Sequence, residues 1–117
     1  MSNEASSESI FNSIKKMVLV DEDYDAFNDT LIIHINTVLA NLIQMGVGPI
    51  EGFSITGSNE VWDDFLQGQN ILEPVKTYVY LKVKMYFDPP QNSAHIEAIN
   101  KQLNELEVRL YTAVGGY

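Results

Sequence analysis

Residues 92–113 read NSAHIEAINKQLNELEVRLYTA. Ile96, Ile99, Leu103, Leu106 and Leu110 recur at spacings of three, four, three and four. That is the seam of a helix packing against another helix. Asn92 or Ser93 caps it, and at 1.5 Å per residue it spans roughly 30 Å. Immediately upstream, Asp88-Pro89-Pro90 ends the preceding segment, because a residue before proline is pushed out of helical geometry.

Working back from that break, a longer helix opens near Asn70 and runs to about Phe87. Pro74 fits only in its first turn. Val75, Tyr78, Val79, Leu81, Val83, Met85, Tyr86 and Phe87 cover much of its circumference, and Lys76, Lys82 and Lys84 take what remains. This marks the central, most buried helix, although its valine and tyrosine content also suits a strand. A short helix carries Val61, Trp62, Phe65 and Leu66, capped by Ser58 or Asn59 and ended by Gly68. Residues 50–58, bounded by glycines, read as a short strand or extended loop. Before them a helix from Asp25 to Met45 places Phe27, Leu31, Ile35, Val38, Leu42 and Met45 on one stripe, widened by Ile32, Leu39 and Ile43. Gly46 and Gly48-Pro49 stop it. Ile10, Phe11, Ile14, Met17 and Val18 form a first helix, capped by Ser6 or Ser7.

The expectation is all-α: a small helical bundle of four to five helices, with a short extended loop segment between the second and third helices. Residues 1–117 make one domain with flexible ends at 1–7 and 114–117. The three long segments supply its core through Leu31, Ile35, Leu42, Val79, Val83, Leu103 and Leu106.

The 117 residues carry 45% hydrophobic and 20% charged side chains, ordinary for a soluble globular domain. There is no cysteine, hence no disulfide, no thiolate metal site and no cysteine nucleophile. The acidic, polar start is not a signal peptide, and no apolar run approaches the roughly 20 residues that span a bilayer. The sequence reads as a cytoplasmic product. The net charge is −9, and no Lys or Arg occurs between Lys16 and Lys76. Such a chain is a poor ligand for phosphate backbones. Asp21, Glu22, Asp23, Asp63 and Asp64 are candidates for an acidic surface or channel wall, one that meets a basic partner or lets DNA pass without holding it.

Candidate chemistry is sparse. Asp21-x-Asp23-x-Asp25, with Asp29, imitates a calcium loop, but the required glycine and bidentate glutamate are replaced by Ala26 and Ile32. Gly46-x-Gly48 follows a helix and has no lysine nearby, so it ends the helix and cradles no phosphate. His34 borders an apolar stripe, and His95 sits in a first helical turn. Asp63-Asp64 and Glu105-x-Glu107 point apart and do not converge as a catalytic pair. No metal, cofactor or catalytic set follows. Phe53 and Ile55 lie outside the helical stripes and, with Tyr80 and Tyr117, are candidate partner-interface residues.

Three stretches carry a family resemblance. The first is His34-Ile35-Asn36 with Gln44-Met45-Gly46-Val47-Gly48-Pro49 and Gly52-Phe53. The second is Val75-Lys76-Thr77-Tyr78-Val79-Tyr80-Leu81-Lys82-Val83-Lys84 running into Phe87-Asp88-Pro89-Pro90. The third is Leu103-x-Glu105-Leu106-Glu107-x-Arg109-Leu110. From about Ile10 to Tyr111 the chain resembles the head–tail connector (adaptor) proteins of tailed bacteriophages with long non-contractile tails. The resemblance implies a non-enzymatic helical virion protein of the neck, assembled in the host cytoplasm. Such proteins form a ring beneath the portal protein, commonly of twelve subunits. The ring extends the DNA channel without specific DNA binding and docks the next neck (stopper or completion) protein. No membrane is involved. An acidic regulator that mimics DNA and binds a DNA-binding enzyme is the alternative from composition alone.

Overall fold

The computed structural model describes residues 6–19 and 21–115. Its elements are α1 (Ile10–Val18), α2 (Asn28–Gln44), α3 (Trp62–Leu66), α4 (Leu72–Phe87) and α5 (Ser93–Ala113). No strand forms among the described residues, and one isolated bridge joins Ser9 to Val61. The stretch 50–58 is loop.

Helix α4 packs against α1, α2 and α5. Val75, Tyr78, Val79, Leu81 and Val83 are buried around it, which settles its valine-rich sequence as helix, since neighbours on three sides cover what a strand would have left on two faces. Pro74 sits in its first turn. Ile10, Ile14, Leu31, Ile35, Val79, Val83 and Leu110 are fully buried and join one continuous core. All seven expected core residues are in it.

Local starts differ from the expected ones for identifiable reasons. Ser9, not Ser6 or Ser7, caps α1, its Oγ accepting from Asn12 N–H at 3.1 Å. The residues before it are committed to the segment leading into α3: Ile10 N–H donates to Glu60 O, Trp62 N–H to Glu8 O, and Asp63 N–H to Ser6 O. Of the termini expected to be flexible, Ser6 therefore has a backbone partner, while residues 1–5 and 116–117 lie outside the described residues. Helix α2 starts at Asn28 because residues 21–27 form turns, with Tyr24 N–H on Asp21 O and Asn28 N–H on Asp25 O. Val61, not Ser58 or Asn59, precedes α3, because the Asp64 carboxylate accepts its N–H at 2.9 Å.

The two long C-terminal helices form an antiparallel pair across Asp88-Pro89-Pro90. Tyr78 Oη donates to Glu107 Oε2 at 2.8 Å and ties them together. Burial, then Glu107, push the Tyr78 hydroxyl well above its ordinary pKa. Leu103, Leu106 and Leu110 are buried, whereas Ile96 and Ile99 are half-buried. Helix α5 rests chiefly on α4, and its outer side faces solvent.

Candidate functional site

Lys15 shapes one end of the molecule. It is 6% exposed, its Nζ donates to Asp25 Oδ1 at 3.0 Å, and it lies 5.7 Å from the Phe11 ring centre. Asp25 Oδ1 also accepts from Asn28 Nδ2. The hydrogen bond and charge of Lys15, then the bond from Asn28, hold the Asp25 carboxyl below the usual carboxylate range. This clamp folds the connector 21–27 back over α1, although the lysine itself is paired to a carboxylate in water.

The folded-back connector places three rings in line. Tyr24 and Phe27 have centroids 5.5 Å apart, and Phe27 meets Phe87 edge-on at 5.1 Å. Together with Val18 and Leu19 they line an open groove of about 510 Å³, whose lining also includes Asp21 and Asp88. Tyr24 is 51% exposed and Phe27 41%. Met17 and Tyr86, on the last turns of α1 and α4, are exposed as well. Large apolar side chains gathered in the open around a groove are the surface signature of a partner site.

The loop 46–60 is a second candidate surface, and it is rigidly held. The Asn36 side chain clamps it from α2: Oδ1 accepts from Ile55 N–H at 2.7 Å and Nδ2 donates to Ile55 O at 3.0 Å. Gly48, at φ +95°, leaves no room for a side chain, since a Cβ there would stand 2.5 Å from Phe65 Cε1. Glu60 Oε2 accepts from Thr56 N–H and Oγ1 and closes the far end. Burial pushes the Glu60 carboxyl up, but the bonds from Thr56 and nearby backbone N–H groups outweigh it and leave the carboxyl below its usual range. Ile50, 94% exposed, stands at the tip.

The residues singled out from sequence are dispersed. Phe53 is half-buried and packs edge-on against Phe65 at 5.4 Å. Ile55 is a correction: at 2% exposure, with both backbone groups bonded to Asn36, it belongs to the core and not to a surface. Tyr80 is half-buried on α4. Tyr117 lies outside the described residues. Asp21, Glu22 and Asp23 are exposed in the connector, where Asp21 Oδ1 accepts from Asp23 N–H. Asp63 and Asp64 are exposed on α3, with Oδ1 of Asp63 accepting from Gly68 N–H and Asp64 capping Val61. These two acidic groups sit at opposite ends of α1 and do not form one continuous face. His34 is half-buried, its ring 5.5 Å from that of Tyr86, and His95 is exposed.

Sequence reasoning missed the groove because Phe27 was counted into the apolar stripe of α2. The proximity of Tyr24 to Phe27 in the sequence was the available signal. It missed the Lys15–Asp25 clamp because the partners stand ten positions apart in sequence, one in α1 and the other beyond its end, where no helical spacing relates them.

Among the described residues, no group of three or more His, Asp or Glu side chains is arranged to hold a metal ion. No helix among the described residues is long and apolar enough to cross a membrane. No curated protein and no solved structure is significantly similar to the chain. A family model, described as phage connector protein, matches residues 10–116, which take in all five helices, the groove and the clamped loop; the chain belongs to that family and is a structural connector protein of a phage.

Proposed function

We propose that this connector joins head to tail as a ring of copies beneath the portal protein. In that position it extends the DNA channel and offers a seat to the next neck protein. Family membership over residues 10–116 is the observation that carries this reading. The molecule's form supports it: α5 is covered mainly by α4, and two further surfaces, the aromatic groove and the rigid loop tip at Ile50, lie open. A ring subunit needs two different contact surfaces for its two neighbours. Phe53 and Tyr80, both half-buried, are placed to be covered further by a neighbour.

The charge supports the same role. A wall that DNA must pass through should repel it, and the net charge is −9. Asp21, Glu22, Asp23, Asp63 and Asp64 keep their carboxylates at the surface, even where one oxygen also caps a turn. The ring carries twelve copies if it follows the arrangement common in the family. It belongs to the virion neck, and its assembly takes place in the host cytoplasm.

Deleting the coding sequence for this chain tests the proposal. DNA-filled heads and separate tails are expected by negative-stain microscopy, with joining restored when the purified protein is added back. Normally joined particles in its absence would overturn it.

A further inference from the structure

We infer that the aromatic groove receives the last two turns of α5 from a neighbouring copy, with that copy's Arg109 set against Asp21 and Asp88. The inference rests on the ring reading above and assigns its subunit contact.

The groove's requirements are legible in its lining. Tyr24 and Phe27 offer exposed ring surface beside the half-buried Phe87, and Asp21 and Asp88 bring two carboxylates. No cation lines it, since Lys15 is turned to Asp25. Its occupant is therefore apolar or aromatic and carries a positive charge.

The chain contains such a segment. Despite the net charge of −9, residues 108–117 hold Arg109 and no acid. Val108 is 68% exposed and Tyr111 46%. The core does not need either, because Leu103, Leu106 and Leu110 fill the inward stripe of α5. Ring against ring, with a guanidinium between carboxylates and beside a tyrosine face, satisfies both sides. Two other exposed apolar residues fit less well: Glu51 beside Ile50 would meet Asp21 and Asp88 as a like charge, and Ile33 brings no Lys or Arg, none occurring between Lys16 and Lys76.

The two surfaces are also placed for contact between copies. The Tyr78–Glu107 bond sets the C-terminal part of α5 level with Tyr78 on α4, whereas the groove is built on Phe87. At 1.5 Å per residue these levels are about 13 Å apart along α4. Packing on α4 keeps α5 out of its own groove. A contact between two different patches is head-to-tail, the kind that closes rings.

The cysteine-free chain permits a direct test. Glu22→Cys and Thr112→Cys, both at exposed positions beside the proposed contact, are introduced into the full chain. The double variant is bound to purified DNA-filled, portal-bearing heads and oxidised mildly. The expected result is a reducible ladder extending beyond dimer, whereas either single variant stops at dimer. Arg109→Glu should reduce the ladder at least tenfold, and Asp88→Arg added to it should restore the ladder. Protein bound to heads without a ladder would overturn this contact and leave the ring intact. Failure of the unsubstituted protein to bind heads would overturn the ring, and this contact with it.

Discussion

Trp62 and Tyr24 stand at opposite ends of α1, and the fold treats them in opposite ways. Trp62 is fully buried, and its Nε1 donates to Ser13 Oγ at 2.9 Å, so the indole's single polar atom is satisfied inside the core. Around it Ile10, Ile14 and Phe65 are sealed, and backbone bonds from Trp62 and Asp63 to Glu8 and Ser6 close the surface. At the other end Tyr24, Phe27 and Phe87 touch one another but leave a groove open to water. Both ends are equally aromatic. The difference is whether another element of the same chain covers the rings. α1 does so for Trp62, whose indole is bonded to Ser13, and no described element does so for Tyr24. One end thus maintains the fold, and the other is left open to water.

The largest expected effect falls at the sealed end. Trp62→Ala should cost about 3–5 kcal/mol in urea unfolding, through lost burial and the cavity left behind. A cost under about 1 kcal/mol would mean that this end is not the sealed one. Next comes Ser13→Ala, which strips the buried indole N–H of its partner and should cost about 1–3 kcal/mol. Assembly on heads should be unchanged, because the groove lies elsewhere.

The sealed end and the helices were largely legible in the sequence, and the open end was not. The Leu103–Leu106–Leu110 seam and the Asp88-Pro89-Pro90 break are local signals, readable from spacing and from proline sterics. Spacing also placed Trp62 and Phe65 on one short helix, which the structure bears out, but left open whether they belong to core or interface. Phe27 shows the limit: its spacing matched the buried stripe of α2, but that stripe runs past the end of the covering elements, and periodicity carries no information about where cover stops. Ile55 shows the reverse. It lies outside any helical stripe, yet Asn36 draws its backbone in across 19 residues, a contact that no spacing rule anticipates. The Lys15–Asp25 clamp was hidden likewise.

That clamp gives a smaller effect, visible through pH. The Asp25 carboxyl is held below its ordinary value when folded, so the unfolded chain takes up its proton first. The clamp's contribution is complete above the unfolded value of about 3.9 and is lost as pH falls through the lower folded value. Asp25→Asn should therefore weaken the folded protein slightly at pH 7 and flatten its loss of stability on acidification. The exposed carboxylate makes the effect small and reduced by salt. An acid limb as steep as that of the unsubstituted protein would remove the clamp from the account.

Least of all should the open end matter to folding. Tyr24→Ser removes an exposed ring and should change stability by no more than about 0.5 kcal/mol. Its effect should appear in binding to heads, where Ser13→Ala shows none. A large stability loss would move Tyr24 to the same class as Trp62 and dissolve the contrast.

Electron cryo-microscopy of the neck in particles containing this chain tests the central claim most directly. The account predicts a closed ring of this chain beneath the portal, with the Tyr24–Phe27–Phe87 groove of every copy covered by the end of α5 from the next. A neck without this chain, or copies of it seated singly with no neighbouring copy, would contradict the account.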